Sequence, residues 1–116
     1  MRRTWMWRPG LLLGMALVSQ QAVGETAEDL FHKGMHFEEV KGELEKAITA
    51  YQEVIKNFAT EMPIAAQAQL HVGMCYEKMA NQEARKAYQT VVDKYPSQQE
   101  AVRVARQRLA SLNSGH

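Results

Sequence analysis

The stretch AITAYQEVI at residues 47–55 returns as ARKAYQTVV at residues 84–92, and this repetition decides the fold. Each copy has an alanine, a tyrosine and a valine at the same relative positions. Corresponding residues, such as Tyr51 and Tyr88, lie 37 positions apart. A repeat of this length is typical of stacked helical hairpins, which usually hold partners rather than catalyse reactions.

Apolar residues recur at intervals of three and four along the chain, which predicts five amphipathic helices. The first begins at about residue 27, the second covers about 43–57, the third begins within 60–63, and the last two cover about 82–94 and 97–112. Thr26 and Asp29 are expected to cap the first helix, and residues 97–100 form an expected capping box for the fifth. Pro63 suits the first turn of a helix, and Pro96 follows the end of one.

The second hairpin resembles a tetratricopeptide repeat. Residues 72–76 (VGMCY) place a glycine and an aromatic residue on its first helix. Residues 84–96 add the pattern Ala-x-x-x-Tyr-x-x-Val on its second helix and a closing proline. In that family the small residue lets the partner helix approach closely, and the aromatic ring fills the gap.

The first hairpin keeps this pattern with a longer connection between its helices. Gly34 and Ala47 are 13 positions apart, whereas Gly73 and Ala84 are 11 positions apart. The two additional residues predict a longer loop over residues 38–42, in which Gly42 provides the turn.

The resemblance implies an all-α fold, a right-handed superhelix of antiparallel helix pairs. Its expected parts are a repeat at about residues 27–59, a second at about 61–96 and a capping helix at about 97–112. The chain is also similar to periplasmic tetratricopeptide modules of cell-envelope proteins, such as the Tol-Pal coordinator and the outer-membrane assembly lipoprotein. Residues 25–116 are enough for one modest helical domain.

Residues 1–24 are predicted to form a secretory signal peptide. Three arginines precede the apolar stretch 11–18, and small residues stand just before Glu25. The apolar stretch is shorter than the roughly 20 residues of a transmembrane helix. The mature chain is therefore expected to be exported, either periplasmic or secreted. An uncleaved leader is the alternative, and membrane contact is expected only through it.

The charge balance argues against nucleic acid as a partner. The full chain has 14 Lys and Arg against 13 Asp and Glu, a formal charge of +1. Without the three arginines of the leader the balance is 11 against 13, or −2, whereas phosphate backbones attract clustered basic residues. The single Cys75 has no internal disulfide partner and is expected to be a buried structural thiol, with a reactive role as the alternative.

The resemblance also implies a binding groove, because first helices of successive repeats line the concave side of such a superhelix. The residues expected to line it are Glu28, Phe31, Met35, Glu38, Gln67, Leu70, Met74, Glu77 and Lys78. Methionines and an aromatic ring suit an amphipathic or extended segment, and the acidic rim favours basic side chains. Burial in the core is the alternative for Phe31 and Leu70. The lysine and asparagine clamp that binds carboxy-terminal carboxylates in this family is absent.

No residue pattern predicts catalysis, a metal, a cofactor or a small-molecule substrate. His32 and His36 lie one turn apart, but the sequence offers them no further ligands. Glu38 and Glu39 are interpreted as solvated charges in a loop.

The sequence therefore predicts a non-catalytic, exported scaffold that binds a protein or peptide of the cell envelope. Two repeats are fewer than the three units that usually stand alone. The alternatives are a self-associating structural unit, which would be a homo-oligomer, and an accessory subunit that positions an envelope enzyme.

Overall fold

The computed structural model describes residues 24–114, which form five α-helices and one π-helical segment. We label the helices α1 (Ala27–Met35), α2 (Leu44–Asn57), α3 (Met62–Lys78), α4 (Glu83–Lys94) and α5 (Gln99–Asn113), and the π-helical segment His36–Lys41 continues α1. This part of the chain contains no strand, so the prediction of an all-α fold is confirmed. None of its helices has the length and apolar character that crossing a membrane requires. The predicted signal peptide, apart from Gly24, and His116 lie outside the described residues.

The sequence signals for the start of a helix are confirmed at α1 and α3, but the signal predicted for α5 is not. The Asp29 amide donates a hydrogen bond of 3.1 Å to Thr26 Oγ1, and the Thr26 amide donates one of 3.1 Å to Asp29 Oδ2. Pro63 lies in the first turn of α3. The capping box predicted at residues 97–100 does not form, because α5 begins two residues later and the Glu100 carboxylate binds Arg103 instead.

The predicted loop over residues 38–42 is also wrong. The backbone stays helical through Lys41 but widens to π-helical turns, which absorb the additional residues of the first hairpin without unwinding it. Gly42 ends the segment with a left-handed φ of +67°, a conformation that glycine adopts without a steric penalty.

Each helix packs mainly on its neighbours in the sequence, so the hairpins stack in a row. One apolar cluster lies between α1, α2 and α3, and a second lies between α3, α4 and α5. The outer face of α5 carries the exposed Arg103 and Arg106, while Ala101, Val102 and Ala105 complete the second cluster.

The two helices of each hairpin pack on each other through the same contact, a tyrosine ring against a glycine. Tyr51 and Tyr88 are both fully buried. A Cβ atom placed on Gly34 would lie 2.6 Å from Tyr51 Cε1, and one placed on Gly73 would lie 2.6 Å from Tyr88 Cε1. Such distances are too short for an alanine in either place. The predicted packing of an aromatic ring on a small residue is therefore confirmed in both copies.

Candidate functional site

Glu38 is the one buried charged residue among residues 24–114, with 6% of its surface exposed. Its Oε1 atom accepts a hydrogen bond of 2.7 Å from the Tyr51 hydroxyl and lies 3.0 Å from His71 Nδ1. Its Oε2 atom accepts a hydrogen bond of 2.7 Å from Lys78 Nζ. The interpretation of Glu38 as a solvated charge is wrong, because the π-helical segment turns this side chain inward between the two hairpins.

The second hairpin repeats this arrangement in a more open form. The Tyr88 hydroxyl donates a hydrogen bond of 2.7 Å to Glu77 Oε1, and Arg108 Nη1 lies 3.7 Å from Glu77 Oε2. Glu77 follows Gly73 by four positions, just as Glu38 follows Gly34. In each unit a tyrosine of the second helix donates to a carboxylate of the first helix, and a basic residue of the following hairpin or helix approaches that carboxylate.

The hydrogen bonds keep Glu38 ionised. Burial by itself raises the pKa of Glu38, but the bonds from His71, Lys78 and Tyr51 outweigh burial and lower the pKa to about 2. Burial and the bond to Glu38 raise the pKa of Tyr51 well above its ordinary value. The bond to Glu38 also raises the pKa of Lys78. Glu38 and its three partners therefore form a hydrogen-bonded network around an ionised carboxylate at the junction of the two hairpins.

An open groove of about 430 Å³ lies directly over this network. The residues that line it come from the π-helical segment, α3 and α5: Glu38, Glu39, His71, Met74, Glu77, Lys78 and Arg108. Four of the nine predicted groove residues are among them: Glu38, Met74, Glu77 and Lys78. Sequence reasoning missed Glu39, His71 and Arg108. The offset of 37 residues between His71 and Arg108 is the signal that identifies this pair as equivalent positions.

The other predicted groove residues do not line this groove. Leu70 is only 3% exposed and belongs to the second apolar cluster, so core burial, the alternative for this residue, is correct. The half-buried ring of Phe31 lies 5.5 Å from the ring of Tyr51 and packs on the first cluster, as Met35 does. Gln67 is half-buried on α3, and Glu28 is exposed in the first turn of α1.

The groove is not simply acidic. Both oxygens of Glu38 are occupied, so this carboxylate does not offer a free charge to a partner. The charges that reach solvent are Glu39 and, in part, Glu77, Lys78 and Arg108, so both signs border Met74. The groove therefore combines an adaptable apolar centre with charges of both signs.

The chemistry of the described residues is limited. Within residues 24–114, no three His, Cys, Asp or Glu side chains are placed to hold a metal ion together. Cys75 is fully buried, as predicted. Burial, followed by the negative charge of Glu38, raises the pKa of its thiol to about 12, which keeps the thiol protonated and unreactive at neutral pH.

Comparison with protein families identifies the repeat directly. A family model described as tetratricopeptide repeat matches residues 11–60 and 67–97, which together exceed half of the chain and include most of both hairpins. The first matched range begins inside the predicted signal peptide, whose assignment stays a prediction. Searches of curated proteins and of solved structures found no match. With both hairpins matched and built around the same glycine and tyrosine contact, the chain belongs to the tetratricopeptide repeat family.

Proposed function

We propose that this chain is an exported, non-catalytic scaffold that holds a segment of another cell-envelope protein in the groove over Met74. Members of the family typically bind proteins and do not catalyse reactions, which supports a binding role. The observation that carries the proposal is the composition of the groove, where a half-buried methionine lies among Glu39, Lys78 and Arg108.

Met74 provides the apolar contact of the groove, which does not require a particular orientation of the partner side chain. Its side chain is partly buried against the second apolar cluster, and a flexible thioether adapts to differently shaped partners. A segment that places one apolar residue over Met74 would bury apolar surface there, and its flanking residues would face the charges at the rim. This is the usual division of roles at an interface, where apolar contacts supply affinity and charges supply orientation.

The hydrogen-bonded network of Glu38 with Tyr51, His71 and Lys78 lies at the floor of the groove. Lys78 Nζ donates a hydrogen bond to Glu38, and Glu38 accepts another from Tyr51 of α2, so a buried partner restrains the half-exposed lysine before a partner protein arrives. A preorganised surface loses less conformational entropy on binding than a mobile one. The network therefore favours a binding role for this face over the exposed faces of α2 and α4.

Photo-cross-linking in the producing cell tests the proposal. A photoreactive residue replaces Glu39 at the rim of the groove, and the control carries the same residue at Gln89, which is exposed on α4. We expect the Glu39 position to yield a discrete adduct with one envelope protein, and the Gln89 position to yield none. Equal adduct patterns from the two positions would contradict a partner site in the groove. An adduct of the chain with itself from Glu39 would instead favour a self-associating unit.

Export is proposed from the three arginines and the apolar stretch of residues 1–24. Fusion of residues 1–30 to an enzyme that is active only outside the cytoplasm tests it. We expect activity from the natural sequence, loss of activity with Leu13→Arg, and a mature amino terminus at Glu25. A silent reporter with the natural sequence would refute export.

A further inference from the structure

The first hairpin has an edge that no other helix of residues 24–114 covers. A surface cavity of about 450 Å³ lies there, on a different part of the hairpin from the groove over Met74, and the two share no lining residue. Phe37 and Ala50 provide its apolar part, and four charged residues surround them: Lys33, Glu45, Lys46 and Glu53. We call these six residues the leading edge.

The leading edge is the surface through which one hairpin stacks on another. In the second hairpin the corresponding residues are Val72, Tyr76 and Ala87, and all three pack with the first apolar cluster, against the preceding hairpin. Phe37 precedes Tyr76 by 39 positions, and Ala50 precedes Ala87 by 37. The first hairpin therefore presents a stacking surface with no hairpin against it in the described part of the chain.

Val40 marks the same surface. It precedes Met79 by 39 positions, and Met79 packs against the first apolar cluster. Val40 is 71% exposed and is the one large hydrophobic residue that is exposed within residues 24–114. An exposed apolar residue at a position that is covered in the next hairpin indicates a surface that a partner covers.

The charges of the leading edge indicate which partner. Lys33 stands where the second hairpin has Val72, and the edge carries two lysines and two glutamates in all. In a two-fold interface the same patch meets itself, so a patch of mixed sign can place each lysine opposite a glutamate, whereas a patch of one sign would repel its copy. Lys46 Nζ lies 3.0 Å from Glu43 Oε1 and above the Phe37 ring. The Lys46 side chain is two-thirds exposed, and a surface ion pair of this kind contributes little to stability, so Lys46 can exchange Glu43 for a carboxylate of a second copy.

We propose that a second copy of this chain covers the leading edge, so that two first hairpins stack on each other across a two-fold axis. The array then contains four hairpins in place of two, which exceeds the three units that a stable helical array usually needs. This inference does not depend on the groove over Met74, so either can fail without the other.

Charge reversal in complementary pairs tests this dimer. One variant, K33E/K46E, makes the edge wholly acidic, and a second variant, E45K/E53K, makes it wholly basic. The control K86E/R106E reverses two exposed charges on α4 and α5 by the same amount. Sedimentation equilibrium on the full chain as purified measures the mass, and intact mass spectrometry records whether residues 1–24 are present. Far-ultraviolet circular dichroism checks that each variant is folded.

The expected result has four parts. The unaltered chain and the control sediment as dimers, each edge variant alone sediments at half that mass, and an equimolar mixture of the two edge variants recovers the dimer. A monomeric unaltered chain at about 100 µM, a concentration that exceeds the dissociation constant of most specific complexes, would overturn the proposal. Dimers that persist in both edge variants, or a mixture that stays monomeric, would overturn the assignment of the dimer to this edge. Val40→Glu gives an independent check, since it changes one exposed residue and should raise the dimer dissociation constant at least about tenfold.

Discussion

The hydroxyl of Tyr51 donates a hydrogen bond of 2.7 Å to the buried carboxylate of Glu38, which lies 13 positions earlier in the chain. The equivalent bond from Tyr88 to Glu77 has the same length but spans 11 positions. The π-helical segment compensates for the difference, since its wider turns keep Glu38 opposite Tyr51 despite the two additional residues. The first hairpin therefore keeps the hydrogen bond between Tyr51 and Glu38, and its first helix departs from regular α-helical geometry to do so.

Removal of the two tyrosine hydroxyls should have unequal effects on stability. Tyr51→Phe takes a donor from a buried charged acceptor and should lower the free energy of unfolding by about 2 kcal/mol. Tyr88→Phe should cost about 1 kcal/mol or less, because the Glu77 side chain is 29% exposed and water can replace the lost donor. Urea unfolding of both variants measures the difference. Equal losses would show that the burial of Glu38 does not strengthen its bond.

The close contact between Gly73 and Tyr88 predicts a penalty for a single methyl group. Gly73→Ala should destabilise the fold by up to about 2 kcal/mol, because overpacking costs about 1–3 kcal/mol and the better helix propensity of alanine returns about 1 kcal/mol. In a Tyr88→Leu background the ring is absent, and the same change should be neutral or stabilising. A double-mutant cycle measured by urea unfolding gives the coupling, and additive effects of the two substitutions would argue against the contact.

Acid should weaken the fold through Glu38. Its pKa is about 2 in the folded chain, compared with an ordinary value of 4.5, so its contribution to stability is complete above about pH 5 and is lost as the pH falls towards 2. Glu38→Gln lacks this contribution at every pH. Unfolding free energies of both proteins between pH 6 and pH 2, a range set by that shift, should converge on the acid side. A constant difference across this range would mean that Glu38 is not the group that titrates.

The thiol of Cys75 should report global unfolding. The side chain is fully buried and its pKa is raised to about 12, so a thiol reagent at neutral pH should not label the native chain. Labelling should appear in urea in step with the loss of helical circular dichroism. Rapid labelling in buffer alone would indicate that α3 opens locally without unfolding of the whole domain.

The helices could be predicted from the sequence because their patterns are local. Thr26 and Asp29 are three positions apart and form the predicted cap, and Pro63 lies in the first turn of α3 as expected. The glycine and tyrosine contacts were predictable because the repeat supplies each of them twice. The capping box predicted at residues 97–100 lies within two residues of the start of α5 at Gln99, but it does not form, because Glu100 binds Arg103 and not the backbone.

The site was predicted less completely because its geometry depends on contacts between hairpins. Glu38 stands beside Glu39, and consecutive glutamates are typical of exposed loops. The burial of Glu38 depends on its bond with Lys78, 40 positions away. The widening to π-helical turns has no local sequence signal that distinguishes it from a loop. His71 lies 33 positions after Glu38 in the sequence and on a different helix, so their contact could not be predicted from the spacing of residues along one helix.

The affinity of the cross-linked partner for two methionine variants tests the central claim most directly. Met74 and Met62 lie on the same helix and are both partly buried against the second apolar cluster, but only Met74 lines the groove. We expect Met74→Lys to weaken binding of the purified partner segment at least about tenfold, a loss of about 1.4 kcal/mol, and Met62→Lys to leave it within about twofold. Equal affinities for the two variants would contradict a partner site in the groove.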